Sequence, residues 1–233
     1  MPDEPIFVRG HLSPRALELL RRAMAFLFWL FTRIEARGME NVPASGGMIL
    51  CLNHLSHFDA PLIFTRLPGR RLTAFAADTY RRNPFFRWIV ESVDAVWVRR
   101  GAITPTTIRA AIQALREGRI LGVAPEGTRS RTTHALQKGK TGAAFLALEA
   151  GVPIVPAAIT GAEHLSRNLP RLRRTRLTVT FGQPFTLTGP KDSANLEAQT
   201  TEIMCRIAAL LPEEYRGVYA GEKRVQELVT SGV

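Results

Sequence analysis

Residues 50–63 read LCLNHLSHFDAPLI, an apolar run followed by two histidines and an aspartate within six positions. His54 and Asp59 are five apart, and on a regular helix residues five apart point about 140° away from each other. They meet only if His54 sits in a strand-to-helix turn and Asp59 on the first turn of the helix. There the carboxylate would accept a hydrogen bond from one ring nitrogen, fix the tautomer, and leave the other nitrogen as a base near neutral pH. This is a catalytic dyad in form, without a serine or cysteine nucleophile of its own. Ser56, two residues on, reads as the helix cap, and His57 as an accessory or structural residue. HLSHFD matches no dependable metal-ligand spacing, and no Cys or His cluster elsewhere completes a set, so no metal is expected.

A second loaded segment is APEGTRS, residues 124–130. Arg129 could fork onto a phosphate, and Gly127 would let the backbone approach it closely. Glu126 could bind a substrate hydroxyl or hold Arg129 in place; a turn with a surface ion pair is the plainer alternative. Arg99 and Arg100, in VRRG, add positive charge where another apolar stretch ends. A phosphate-bearing substrate is the economical reading of both segments.

These residues need elements to position them. Apolar runs at Met48–Leu52, Leu72–Ala77, Ala95–Val98, Ile120–Ala124, Ile154–Ile159 and Leu177–Phe181 read as strands, several of them covered on both faces. Helical patterns lie between most of them: one begins after His57, and others span residues 84–93, 105–117, 141–150 and 194–211. Thr104 caps one of these, and Gly118 and Gly151 stop two. The alternation predicts an α/β fold: a single domain with a largely parallel central sheet flanked by helices. Ligands gather beyond the carboxyl ends of strands in such sheets. The segments after residues 52, 98 and 124 would then share one rim, provided their strands are parallel.

The chain has 233 residues, no linker-like or repeated segment, and a formal net charge of +11. Such a charge implies an anionic partner: nucleic acid, an anionic lipid surface or a phosphorylated substrate. No nucleic-acid-binding motif is present and few aromatics interleave with the arginines, so nucleic acid is not expected. RLRRTR, residues 171–176, reads as a solvated loop before a strand. Cys51 and Cys205 stand on apolar backgrounds, which suits buried thiols in a reducing compartment.

Ser13 and Pro14 open a helix that gives way to a short extended piece before Gly38. Its uninterrupted apolar run, Ala23 to Phe31, is about 13 Å long, far short of a hydrocarbon core of roughly 30 Å. Phe26, Phe28, Trp29 and Phe31, flanked by Arg15, Arg21, Arg22 and Arg33, suit a helix lying in a membrane interface; docking on the domain's own core is the alternative. Residues 1–37 are accordingly expected to be a membrane-associating helix and residues 38–233 the folded domain.

Taken in order, NHLSHFDAPLI, VWVRRG, VAPEGTRS and GVPIVPAAITG resemble the four motifs of the glycerolipid acyltransferases of the 1-acyl-glycerol-3-phosphate acyltransferase (PlsC-like) family. GMENVPASGGMILCLNH and LTVTFGQPF are similar to that family's flanking segments, so the resemblance covers roughly Gly38 to Phe185. It implies transfer of a fatty acyl group from acyl-CoA or acyl-carrier protein to the hydroxyl of lysophosphatidic acid, giving phosphatidic acid, without a cofactor. His54 would be the general base and Asp59 its orienting partner. Arg100 and Arg99, with Glu126, Gly127, Thr128 and Arg129, would bind the acceptor's glycerol phosphate, and Val152 to Pro156 would shape the core or, as the alternative, position the acyl chain. The enzyme would sit monotopically on the cytoplasmic face of the cell membrane, with an anionic membrane surface, lysophospholipid and acyl thioester as its partners. The sequence departs from the family where a lysine often precedes the NPFF-like segment. Ala77 and Asp78 stand near that place, Arg81 or Arg82 could substitute, and Arg87 replaces a frequent glycine. Another lysolipid as acceptor, or an esterase on the same scaffold, are the alternative readings.

Overall fold

In a computed structural model, which describes residues 7–8, 10–98, 104–130 and 132–232, the apolar runs become one eight-stranded sheet. Its strands are β1 (Phe7–Val8), β2 (Thr32–Arg37), β3 (Met48–Leu52), β4 (Leu72–Ala77), β5 (Asp94–Val98), β6 (Ile120–Val123), β7 (Ile154–Thr160) and β8 (Thr175–Phe181). They lie in the order β1-β5-β4-β6-β3-β7-β8-β2. The five strands from β5 to β7 are mutually parallel, with Ile49 of β3 opposite Leu121 on one side and Ile154 on the other. β8 runs antiparallel to β7, β2 runs parallel to β8, and β1 is antiparallel to β5. All six strands expected from the apolar runs form, within two residues at each end.

The helices are α1 (Pro14–Phe31), α2 (Asp59–Arg66), α3 (Pro84–Ser92), α4 (Pro105–Arg116), α5 (Gly142–Ala150), α6 (Leu165–Asn168), α7 (Ser193–Ala209) and α8 (Lys223–Thr230). Alternation along β3 divides the core. Met48, Leu50 and Leu52 pack with Phe28 of α1 and Leu62 and Ile63 of α2. Ile49 and Cys51 face the other way, toward Leu115 of α4, Ala144 of α5, Ile203 of α7 and Leu228 of α8. A strand that is apolar at every position is what such a sandwiched position requires. Both cysteines are free and buried there, and burial pushes the Cys205 thiol up to about 11.

The N-terminal segment does more than precede this domain. The extended piece after α1 is β2, which pairs with β8 over its whole length, from Thr32 opposite Thr175 to Arg37 opposite Thr180. Residues 32–37 therefore belong to the sheet, and the division expected at residue 37 falls at the end of an edge strand. α1 itself docks through one face. Arg21, buried, donates from Nε to the Phe64 carbonyl (3.1 Å) and from a terminal nitrogen to the Arg70 carbonyl (3.1 Å), while Phe28 enters the core. The opposite face leaves Leu19, Phe26, Leu27, Trp29 and Leu30 exposed. At about 100° per residue, Leu19, Phe26 and Leu30 fall within roughly 20° of one line, facing away from Phe28. Because β2 starts opposite the first residue of β8, the end of α1 stands at the carboxyl edge of the parallel strands. Among the described residues, no helix is long and apolar enough to cross a membrane.

The opposite, amino edge of the sheet is closed by an ion cluster. Asp94, at the start of β5, pairs with Arg119 and with Arg71 (3.2 Å), and its other oxygen accepts from the Gly10 N–H at 2.9 Å. Arg119 also pairs with Glu117 at 2.9 Å.

Candidate active site

β3 ends at Leu52, and Asn53 ends the ladder with its side chain. Its amide nitrogen donates to the Ile159 carbonyl and its amide oxygen accepts from the Ile159 N–H, both at 2.8 Å. The buried side chain thus stands in for the next peptide group toward β7, and the main chain is released to turn. His54 sits in that turn and Asp59 opens α2, the arrangement that the five-residue spacing requires.

Asp59 is almost wholly buried, at 1% exposure. Its Oδ2 accepts from the backbone N–H of Leu55 (2.8 Å), from that of Ser56 (2.9 Å) and from His54 Nδ1 (2.8 Å). A carboxylate only accepts, so Nδ1 is the donor, and in the neutral ring the lone pair then falls on Nε2. The His54 side chain is one-third exposed, so that nitrogen can be reached. A carboxylate on the first turn of a helix is further favoured by the helix's own dipole. Ser56 corrects an expectation: its hydroxyl accepts from the Phe58 N–H at 3.2 Å, inside the turn, and the residue before α2 is Phe58. Ser56 shapes the approach to the helix rather than capping it.

The turn after β6 clasps the same histidine. Glu126, 2% exposed, accepts from the His54 N–H on Oε1 (3.2 Å) and from the Gln137 N–H on Oε2 (2.9 Å). The Ser130 N–H donates to the His54 carbonyl at 3.0 Å. Both polar groups of the His54 peptide unit are therefore held by residues 126–130. Burial pushes the Glu126 carboxyl above its usual range and Asp59's charge adds to this, against the two N–H donors and His54. Expected to bind a substrate hydroxyl or hold Arg129, Glu126 has backbone donors inside the protein on both oxygens, because a carboxylate this deep needs partners at hand.

Gly127 has a φ of 70°, in the left-handed region, and a Cβ there would lie 3.0 Å from Lys140 Nζ. Thr128 is exposed and Arg129 half-buried at the same turn. Residues 132–140 continue from it and are backed by the C-terminal segment. The Leu136 N–H donates to the Tyr215 carbonyl (2.9 Å), the Gly139 N–H to the Tyr219 hydroxyl (3.0 Å), and Gly217, at a φ of 52°, passes directly over the Leu136 carbonyl.

β3 and β6 are adjacent, so two of the three loaded segments do share one rim. Arg99 and Arg100 lie outside the described residues. Beyond the end of β4, Arg81 stacks its guanidinium 4.8 Å from the centre of the Trp97 ring, and Arg82 is exposed. Sequence reasoning missed Asn53, Ser130 and Gln137. An amide directly after a buried apolar strand was the available signal for Asn53; the other two act through backbone N–H groups, which leave no mark on residue type. Chemically, the rim presents a reachable imidazole nitrogen, fixed in tautomer and position, with basic side chains close by.

The acyltransferase family model matches residues 33–160. The chain is 30% identical, over 60% of its length, to the 1-acyl-sn-glycerol-3-phosphate acyltransferase of Borreliella burgdorferi; the match spans 57% of that protein. It is 25% identical to the enzyme of the same name from Bacillus subtilis, over 65% of this chain and 73% of that one. Among solved structures it resembles the 1-acyl-sn-glycerophosphate acyltransferase PlsC from Thermotoga maritima. The TM-score is 0.67 at 25% identity, covering 84% of this chain and 78% of that one.

Proposed function

The chain belongs to the PlsC-like acyltransferase family, and from that premise we propose that it acylates the free hydroxyl of lysophosphatidic acid, giving phosphatidic acid. His54 Nε2 takes the proton from that hydroxyl as its oxygen attacks the thioester carbonyl of acyl-CoA or acyl-carrier protein. Collapse of the tetrahedral adduct breaks the carbon–sulfur bond, and the departing thiolate takes up the proton held on His54. Asp59 stabilises the imidazolium while the proton is held; no acyl-enzyme forms, so no enzyme nucleophile is needed. General base catalysis of this kind contributes on the order of a hundredfold to ten-thousandfold. The observation that carries the reading is the 2.8 Å bond from His54 Nδ1 to a buried carboxylate, which leaves Nε2 free at the open edge of the sheet.

Glu126, with Asn53 and Ser130, acts in this reading as a positioning residue, fixing the peptide unit from which the base projects. Gly127, Thr128, Arg129, Arg99 and Arg100 receive the acceptor's phosphate. The exposed apolar face of α1, ending at the edge where His54 stands, supports monotopic contact with the cytoplasmic face of the cell membrane, where acceptor and product reside.

The test is transfer of a radiolabelled acyl group, by the unaltered chain and by His54→Ala, to lysophosphatidate, glycerol 3-phosphate and neutral or zwitterionic lysolipids. Transfer to lysophosphatidate, abolished in the variant with the thermal midpoint kept, is the expected result. Undiminished transfer by His54→Ala removes the proposed base. Preference for another lysolipid would answer to Ala77 and Asp78, which stand where relatives often carry a lysine.

A further inference from the structure

The arginine-rich segment before β8, expected to be a solvated loop, stands beside the end of α1. Residues 170–174 are all exposed. At their centre Leu172 is 77% exposed and adopts a φ of 51°, a backbone conformation that a leucine rarely holds. Arg174 ties the loop to the helix. One guanidinium nitrogen donates to the carbonyls of Trp29 (2.6 Å) and Thr32 (2.8 Å), and the group lies 5.9 Å from the Trp29 ring centre. Leu172 thus shares one corner of the molecule with the exposed Trp29 and Leu30, at the carboxyl edge where His54 stands.

The charge of this corner is one-sided. No Asp or Glu occurs from His164 to Lys191. Arg33 of β2 and Arg176 of β8 are direct cross-strand partners, both exposed, and neither is paired with a carboxylate among the described residues. Like charges placed side by side on neighbouring strands are unfavourable until an anion lies against them. An apolar tip between arginines, continuous with an apolar helix face, matches the layering of an anionic bilayer, where phosphates overlie hydrocarbon. We propose that the loop over residues 170–174 is a second lipid-binding element. Leu172 enters the apolar layer, Arg171 and Arg173 meet lipid phosphates, and with α1 they hold the carboxyl edge of the sheet against the bilayer. The proposal rests on the membrane reading given above and adds to it a contact outside the N-terminal helix.

The experiment is sedimentation of the full-length chain with vesicles of phosphatidylcholine, alone or mixed with phosphatidylglycerol. R171Q/R173Q should weaken binding to the mixed vesicles roughly thirty-fold, the factor expected for two arginines at an anionic surface. Leu172→Asn should weaken it about tenfold, and R109Q/R116Q, on exposed positions of α4, should bind as the unaltered chain does. All the substituted side chains are exposed, so thermal midpoints should stay put. Unchanged vesicle binding by both loop variants overturns the proposal while the membrane reading stands; no binding by the unaltered chain overturns both, and acyl transfer to a soluble acceptor reports separately on the enzyme. Loop variants that keep vesicle binding but lose turnover only with acyl-carrier protein as donor would reassign the corner to an acidic protein, and overturn it too.

Discussion

Buried carboxylates stand at both edges of the sheet, and the two edges satisfy them differently. At the amino edge Asp94 lies between Arg119 and Arg71, guanidiniums whose charge never leaves them. At the carboxyl edge Asp59 and Glu126 accept from peptide N–H groups and, in Asp59's case, one imidazole; no lysine or arginine among the described residues pairs with either. Arginine partners lock a strand end in place. Peptide donors hold a carboxylate but bring no fixed positive charge, and the His54 imidazole is the side chain that joins them on Asp59. One edge is closed by ion pairs, the other by peptide donors and one imidazole.

The contrast is most exposed to failure at the carboxyl edge. His54→Ala should lower acyl transfer by about a thousandfold or more with the fold intact, and Asp59→Asn should come close to it. Retained transfer in either variant would erase the distinction between the edges. Asp94→Asn should do the reverse. Removing one of the two carboxylates that face buried Arg119, with Glu117 left in place, should destabilise the fold by about 2 kcal/mol, visible as a lower denaturant midpoint, with turnover per folded molecule unchanged. A fall in turnover with unaltered stability would mean that the amino edge reaches the chemistry after all.

Glu126 sharpens the comparison through pH. Its folded-state carboxyl is raised by burial, so the folded chain holds that proton more tightly than the unfolded one. Its contribution to stability is therefore full below the ordinary glutamate range, about 4.3, and declines as pH rises from there through the raised folded value. Glu126→Gln should remove that decline from the unfolding profile. It should also lower kcat about tenfold while leaving the acceptor KM near its original value, as expected of a residue that positions the base; a rise in KM alone would return Glu126 to the substrate. The smallest effect belongs to Ser56→Ala, which removes one half-buried turn bond: about 0.5–1 kcal/mol of stability and turnover within about threefold.

Much of this was legible in the chain. Strands β3 to β7 announce themselves as largely apolar runs, as strands covered on both faces are, and the alternating second half of β8 reads as a strand too; the His54–Asp59 pair is legible because the apolar run before it puts His54 in a strand-to-helix turn. β2 was read only as an extended piece because Thr-Arg-Ile-Glu-Ala-Arg is half charged, as suits an edge strand with one face in solvent. Two-residue β1 is too short to carry a pattern. Glu126 is legible as a candidate, but a sequence shows that a carboxylate is present and not that peptide N–H groups of residues 54 and 137 reach it. The loop at 170–174 was found and dismissed, because its meaning lies in the helix end that folding brings beside it.

The pairing of β2 with β8 also sets a timetable. Asn41, just past β2, bonds to Phe181 across 140 residues of chain. At a synthesis rate of 5–20 residues per second, β2 is made about 7 to 28 seconds before the end of the strand it pairs with. The β2–β8 pairing therefore forms only after all the strands between them in sequence have been made.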